Sequence, residues 1–97
     1  MIPSSYLPEA REDIDEAFTY YESIRTGLGD RFLTALSKRV EQIESSPALF
    51  GEVLPGIRAV LVKKFPYVLY YRPDPAPLTI IAVRHGKENA RVWQRRA

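Results

Sequence analysis

Residues 57–85 read IRAVLVKKFPYVLYYRPDPAPLTIIAVRH, and this stretch decides the fold. It divides into three runs of β type. IRAVLVKKF (57–65) is rich in β-branched residues and PYVLYYR (66–72) follows at once. Phe65-Pro66 marks the turn between them, because proline has no N–H to give to a central ladder. DPAP (74–77) is a second turn, and LTIIAVRH (78–85) is the third strand. Connections this short permit only antiparallel neighbours, since a parallel pair needs a long crossover. The three runs therefore predict a meander with one face covered and the other partly open.

The cover lies upstream. From Pro8 to Ile24, Ala10, Ile14, Ala17, Phe18, Tyr21 and Ile24 recur at steps of three and four, which is the stripe of an amphipathic helix. Pro8 suits the first helical position, and Glu9, Glu12 and Asp13 place negative charge at the positive end of the helix dipole. TGLGD interrupts, with Gly27 and Gly29 free to take positive φ. A second helix is expected from Leu28 or Asp30 to Ser45, where Leu28, Phe32, Leu36, Val40 and Ile43 repeat the pattern and Pro47 ends it. Downstream, KENARVWQRRA (87–97) is read as a short last helix, with Val92 or Trp93 folding back on the sheet. The expected architecture is α+β in one domain, 1–97. An N-terminal antiparallel helical hairpin packs on a small antiparallel β-sheet of three to four strands, followed by a short C-terminal helical tail.

Composition narrows the function. The chain has 97 residues and a formal net charge of +2, which conceals a separation of charge. Residues 1–56 carry five Lys/Arg against ten Asp/Glu, a net of −5, and residues 57–97 carry nine against two, a net of +7. Such asymmetry suits a basic half facing a polyanion or an acidic protein, or two halves neutralising each other across the fold. Cysteine is absent, which excludes disulfides, thiolate nucleophiles and Cys-ligated zinc. MIPSSYLPEA has neither the basic nor the apolar segment of a signal peptide, and no apolar run approaches the roughly 20 residues that span a bilayer. A soluble cytoplasmic protein without membrane attachment is expected.

His85 has no second His or Cys at ligand spacing, so no metal site and no cofactor is expected. No G-x-S-x-G turn, P-loop or dinucleotide fingerprint occurs. The remaining chemistry is basic and aromatic: Arg58, Lys63, Lys64, Arg72, Arg84, Lys87, Arg91, Arg95 and Arg96, interleaved with Tyr67, Tyr70 and Tyr71. Arg forks suit phosphate or carboxylate, and aromatic rings stack on bases. Arg84 and His85 cannot share a face of one strand. Arg72 and Arg84 approach each other only if hairpin register allows it. A strand-end His is more often hydrogen-bonded structure than a general base, and Trp93 is read as an anchor for the tail. Tyr70 and Tyr71 straddle the sheet, so at least one is core, while Arg95 and Arg96 read as a frayed, solvated end.

The order helix–helix–strand–strand–strand, with PEAREDIDEAFTYY, GDRFLTAL, SSP, GIRAVLVKKFPYVLYYR and IIAVRHGK in sequence, resembles the RelE/ParE superfamily of bacterial type II toxins, of plasmid-stabilisation type, over nearly the whole chain. The resemblance implies a toxin neutralised by a cognate antitoxin, acidic and partly disordered, that wraps the hairpin and sheet. A homodimer and a heterotetramer with the antitoxin are both open. ParE-like members bind and inhibit DNA gyrase, whereas RelE-like members are mRNA interferases that cut mRNA on the ribosome. On the RelE-like reading Arg58, Arg84, His85 and Arg91 would be catalytic. On either reading Arg58, Lys63, Lys64, Arg72, Arg84, Lys87, Arg91, Trp93 and Arg95 would contact target or antitoxin. The long hairpin, FPYVLYY and VRHGK look more ParE-like, and the terminal tyrosine of many RNA-cutting relatives has no counterpart in the tail. A non-toxic relative kept as a binding partner is the third alternative. MIPSSY is short and proline-containing where relatives usually have a full edge strand, which leaves the first strand open.

Overall fold

The computed structural model describes residues 4–97 of the chain. The helical hairpin forms at the expected positions: α1 spans Pro8–Ile24 and α2 spans Leu28–Ser45. Between them Gly27 takes φ 92°, a left-handed conformation that costs a residue with a Cβ and not glycine. No residue at the start of α2 caps it with its own side chain. The cap comes instead from α1, where Glu22 Oε1 accepts the backbone N–H of Gly27 (2.8 Å) and of Gly29 (2.9 Å). One carboxylate thus satisfies two amides at the turn and binds the two helices together.

Gly29 is buried where α2 meets α1. A Cβ built there would lie 2.7 Å from Glu22 Cγ and 2.9 Å from the Phe18 ring. Alanine gains about 1 kcal/mol over glycine in a helix interior, but overpacking costs typically about 1–3 kcal/mol. Since the clash also disturbs the capping carboxylate, Gly29→Ala is expected to lose about 1 kcal/mol net. A denaturant titration showing a gain would contradict this close approach.

Five strands form one sheet in the order β1-β5-β4-β3-β2, with β1 at Ser4–Tyr6, β2 at Glu52–Leu54, β3 at Ile57–Leu61, β4 at Tyr67–Arg72 and β5 at Leu78–His85. The meander β3-β4-β5 is antiparallel as expected, but the sheet exceeds three to four strands and is mixed. Ser4–Tyr6 forms an edge strand parallel to β5, and β2 forms the other edge. Each has three residues, too few to show a period of two. The open question of a strand at residues 1–7 is answered for Ser4–Tyr6; residues 1–3 lie outside the described residues. β3 is shorter than the run 57–65. It stops at Leu61, and residues 62–66 turn with Phe65 N–H donating to the Val62 carbonyl and Lys64 at φ 70°.

The core lies between the hairpin and one sheet face. Ala10, Ala17, Tyr21, Phe32, Leu36 and Ile43 meet Val60, Val62, Leu69, Tyr71, Leu78, Ile80 and Val83. Tyr71 reaches through to the loop after α2, where its hydroxyl donates to the Pro47 carbonyl at 2.7 Å. The other face is partly covered by α3 (Arg91–Gln94), whose Trp93 joins Ile57, Ile81 and Ala82 in a smaller cluster. One irregularity serves both layers. Tyr70 pairs with Ala82 but Tyr71 with Ile80, so Ile81 is an extra residue in β5. The bulge lets Ile80 and Val83 face the hairpin while Ile81 and Ala82 both belong to the cluster around Trp93.

Burial raises the phenols of Tyr6, Tyr21, Tyr67, Tyr70 and Tyr71 above the ordinary value of 10.0. A folded-state value above the unfolded one gives stability that is complete below about pH 10 and lost as pH rises through the raised values. Alkaline titration is expected to show tyrosinate absorbance lagging behind that of the urea-unfolded chain, with unfolding free energy falling above about pH 10. Coincident titrations would contradict it.

No helix among the described residues is long and apolar enough to cross a membrane.

Candidate functional site

The ionic centre of the molecule is Asp13, a residue read from the sequence only as a charge on the helix dipole. β1 ends at Tyr6, and after the Leu7 N–H donates to the Ile80 carbonyl the chain turns into α1. Among the described residues the outer edge of β5 beyond Ile80 therefore has no strand beside it. Asp13, on the inward side of α1, fills that place: its Oδ2 accepts the buried N–H of Val83 at 3.1 Å. Two guanidiniums close on the same carboxylate. Arg84 Nη1 donates to Oδ1 at 2.7 Å, and Arg96 donates to Oδ2 at 2.5 Å and to Oδ1 at 3.2 Å. Arg96 also reaches the Ile81 carbonyl at 3.3 Å. The Asp13 side chain is 3% exposed, so a strand edge, a helix and the C-terminal tail converge on one buried charge.

Arg84 has each of its three guanidinium nitrogens engaged by a carboxylate. Its Nε and Nη2 donate to the two oxygens of Glu88 at 2.6 and 2.7 Å, and Glu16 stands 3.9 Å from Nη1. The hydrogen bonds from Glu88 hold its guanidinium far above the ordinary ionisation value; burial opposes this and Asp13 adds to it. A cation bound this way has little capacity left for a phosphate.

The other residues singled out from the sequence scatter. Arg58 pairs with Tyr71 in the ladder, and its Nη1 donates to the Phe50 carbonyl at 2.5 Å, tying the loop after α2 to the sheet. Tyr71 in turn pairs with Ile80, so Arg58 lies roughly 13–16 Å along the strands from His85. His85 sits at the far end of β5 opposite Tyr67, with ring centroids 5.7 Å apart and Nδ1 accepting the Lys87 N–H at 3.1 Å. Arg91 is exposed at the start of α3, its N–H donating to Asn89 Oδ1. Arg58 is therefore not brought together with Arg84 and His85, which are neighbours on opposite faces of β5.

Arg72 and Arg84 also stay apart. Arg72 pairs with Thr79 and Arg84 with Val68, at opposite ends of the β4–β5 ladder, and Arg72 Nη2 reaches the Ala97 carbonyl at 3.3 Å. Trp93 is 6% exposed and stacks on Tyr70 with centroids 4.2 Å apart and planes 16° from parallel. It anchors the tail and offers no free ring face to a ligand. Arg95 and Lys87 are exposed on the tail, and Lys63 and Lys64 on the β3–β4 turn. Arg96, expected in a frayed end, is instead a structural clamp. No group of three or more His, Cys, Asp or Glu placed to hold a metal occurs among the described residues.

The sequence held one signal for Asp13. The buried residues of α1 are Ala10, Asp13, Ala17 and Tyr21, so this carboxylate stands at helical spacing on the apolar stripe. An acid in that position is rarely left unpaired, so it implies a buried partner.

Comparison with known proteins follows the fold. The family profile described as "ParE toxin of type II toxin-antitoxin system, parDE" matches residues 5–90. "Toxin ParE2" of Mycobacterium tuberculosis strain CDC 1551 / Oshkosh is 34% identical over 82 residues, covering 80% of this chain and 75% of the relative. The protein of the same name from strain ATCC 25618 / H37Rv matches equally. A solved structure titled "Chromosomal ParDE TA system from P. aeruginosa" superposes with a TM-score of 0.64 at 18% identity, covering 88% of this chain and 96% of that one. At that identity the superposition speaks for the fold.

Proposed function

The chain belongs to the ParE toxin family of type II toxin–antitoxin systems, and from that premise we propose that it binds and inhibits DNA gyrase and is neutralised by a cognate antitoxin. The observation that supports a binding mechanism is the dispersal of the residues an mRNA endonuclease would need. Cleavage requires a base, an acid and cations around one phosphate. Here Arg84 is held by Asp13 and Glu88, and Arg58 is tied to loop carbonyls at the opposite end of the sheet. A protein that acts by occupying a partner needs no such convergence. A cytoplasmic location goes with this target.

Purified protein is expected to inhibit gyrase supercoiling and to trap cleaved DNA. Gyrase left untouched by a preparation that is toxic on expression would overturn the reading. Co-expression with the antitoxin encoded beside it is expected to give a complex burying well over about 1,000 Å² and to restore growth. One observation favours the ribosome-dependent endonuclease: Tyr67 and His85 place a phenol and an imidazole side by side. Transcript-end mapping after induction separates the two. Cuts at the ribosomal A site that vanish in His85→Ala would replace the gyrase reading.

A further inference from the structure

The turn between β3 and β4 holds a conformation that its sequence does not favour. The Phe65 N–H donates to the Val62 carbonyl at 3.1 Å, which makes Lys63 and Lys64 the central pair of a β-turn. Lys64 takes φ 70° there, a left-handed value that glycine adopts freely and a residue with a Cβ resists. Glycine would serve the fold better, so a lysine held in this conformation points to a use for its ammonium.

The turn borders a groove along α2 of about 960 Å³, near the upper end of the roughly 300–1,000 Å³ of small-molecule sites. The two ends of the groove differ. Arg39 Nε donates to the Leu61 carbonyl, while the Phe65 ring packs on Phe32, so residues 61–65 run back along α2 toward its start. Phe65, half-buried, therefore stands at the end that carries Leu28 and Asp30. Lys63 and Lys64 fall between these two levels, with Lys38 at the far one. Arg31, Lys38, Lys63 and Lys64 are all exposed, and none forms an ion pair with another described residue.

Unpaired cations around one groove repel one another, and a ligand with several negative charges on few atoms relieves that repulsion. A short chain of phosphates is such a ligand, and lysine ammoniums suit it. The other end asks for different chemistry. Leu28, Ala35 and Phe65 offer apolar and aromatic surface on which a flat base gains by stacking, and the Asp30 carboxylate at the rim can accept from an amine of that base. From Asp30 to Lys38 the axis of α2 advances about 12 Å, the scale of a single nucleotide.

We propose that this groove binds a nucleoside polyphosphate, its base on Leu28 and Phe65 beside Asp30 and its phosphates on Lys38, Lys63 and Lys64, with Arg31 between. No residue of the lining belongs to the Asp13 cluster or to the tail. The proposal is therefore independent of the gyrase reading.

The test is isothermal titration calorimetry of the whole chain with ATP, GTP and inorganic tripolyphosphate in about 0.15 M salt. At least one nucleotide is expected to bind with a Kd below about 100 μM. Tripolyphosphate, with no base to stack, is expected to bind at least about fivefold more weakly. Lys64→Gly is expected to weaken nucleotide binding at least about fivefold while its urea midpoint of unfolding stays at or above the parent's, since the left-handed strain is gone. Phe65→Leu is expected to weaken the nucleotide and leave tripolyphosphate unchanged, which separates stacking from charge. The control carrying Arg72→Gln and Arg95→Gln is expected to stay within about twofold. The proposal is overturned if neither nucleotide binds at about 1 mM, if tripolyphosphate binds as tightly as the nucleotides, or if Lys64→Gly binds like the parent. A Lys64→Gly chain less stable than the parent would also sink it, since the lysine would then be structural. So would a duplex of about 20 base pairs that displaces the nucleotide below the nucleotide's own Kd, since the cations would then serve a nucleic-acid backbone.

Discussion

Asp13→Ala is expected to lower the free energy of unfolding by about 3–4 kcal/mol, in the range for removing one partner of a buried ion pair. The side chain is 3% exposed and accepts from three groups, the Val83 amide and the guanidiniums of Arg84 and Arg96. Without it the amide has no strand and no side chain to bond, and two cations are left facing an apolar edge. Arg84 keeps Glu88, which confines the damage on that side. Against a total of roughly 5–10 kcal/mol for a chain of this length, the loss is severe. Arg96→Ala is expected to cost less, about 1–2 kcal/mol, because Asp13 retains Arg84 and the Val83 amide. The double variant is expected to show a coupling above about 1 kcal/mol. Denaturant unfolding of the three proteins decides it: an Asp13→Ala chain within about 1 kcal/mol of the parent would mean the clamp holds nothing. The cost belongs to breaking the pair and does not show that an ionic centre is more stable than an apolar one of the same shape.

Trp93→Ala is expected to cost about 3 kcal/mol, the lower end for removing a large buried aromatic, since the cluster it completes lies near the chain end. It strips the cover from Ile57, Ile81 and Ala82 and leaves Tyr70 without its stacking partner. Truncation after Ala90 is expected to cost about as much, because Trp93 is the buried residue of the short helix it removes. Trp93 is the only tryptophan in the chain, so its emission reports on the tail directly. Emission is expected at short wavelength in the parent, shifting red in Arg96→Ala as the tail loosens. A Trp93→Ala protein as stable as the parent would show that the tail contributes nothing to the fold.

The helices were legible because their apolar residues repeat over 17 and 18 positions, and β5 because its eight residues are bounded by turn chemistry on both sides. The three-residue edges β1 and β2 were not, since pairing there is decided by the neighbouring strand. The true length of β3 was hidden because Val62 and Phe65 look like strand residues. They are core residues of a turn, and this moves Lys63 and Lys64 from a sheet face to its tip. The candidate site was legible as a basic half and illegible as geometry. Whether an arginine is free or spent depends on contacts such as Arg84 with Asp13 and Arg96 with Asp13, across separations of 71 and 83 residues. No local pattern carries that information. Glu22 capping its neighbour helix is the same case at short range.

Strict alternation from Ile80 would send Arg84 to the hairpin side and His85 to the other. The extra residue at Ile81 exchanges them, so His85 meets Tyr67 and Arg84 comes to the edge where Asp13 waits. The chemical identity of each side of the sheet's far end therefore hangs on a count of one. A β5 of regular alternation that kept all its residues would transpose imidazole and guanidinium, burying the cation among aromatic rings and leaving Asp13 without Arg84, whereas deleting Ile81 removes the bulge and keeps Val83, Arg84 and His85 on their present sides.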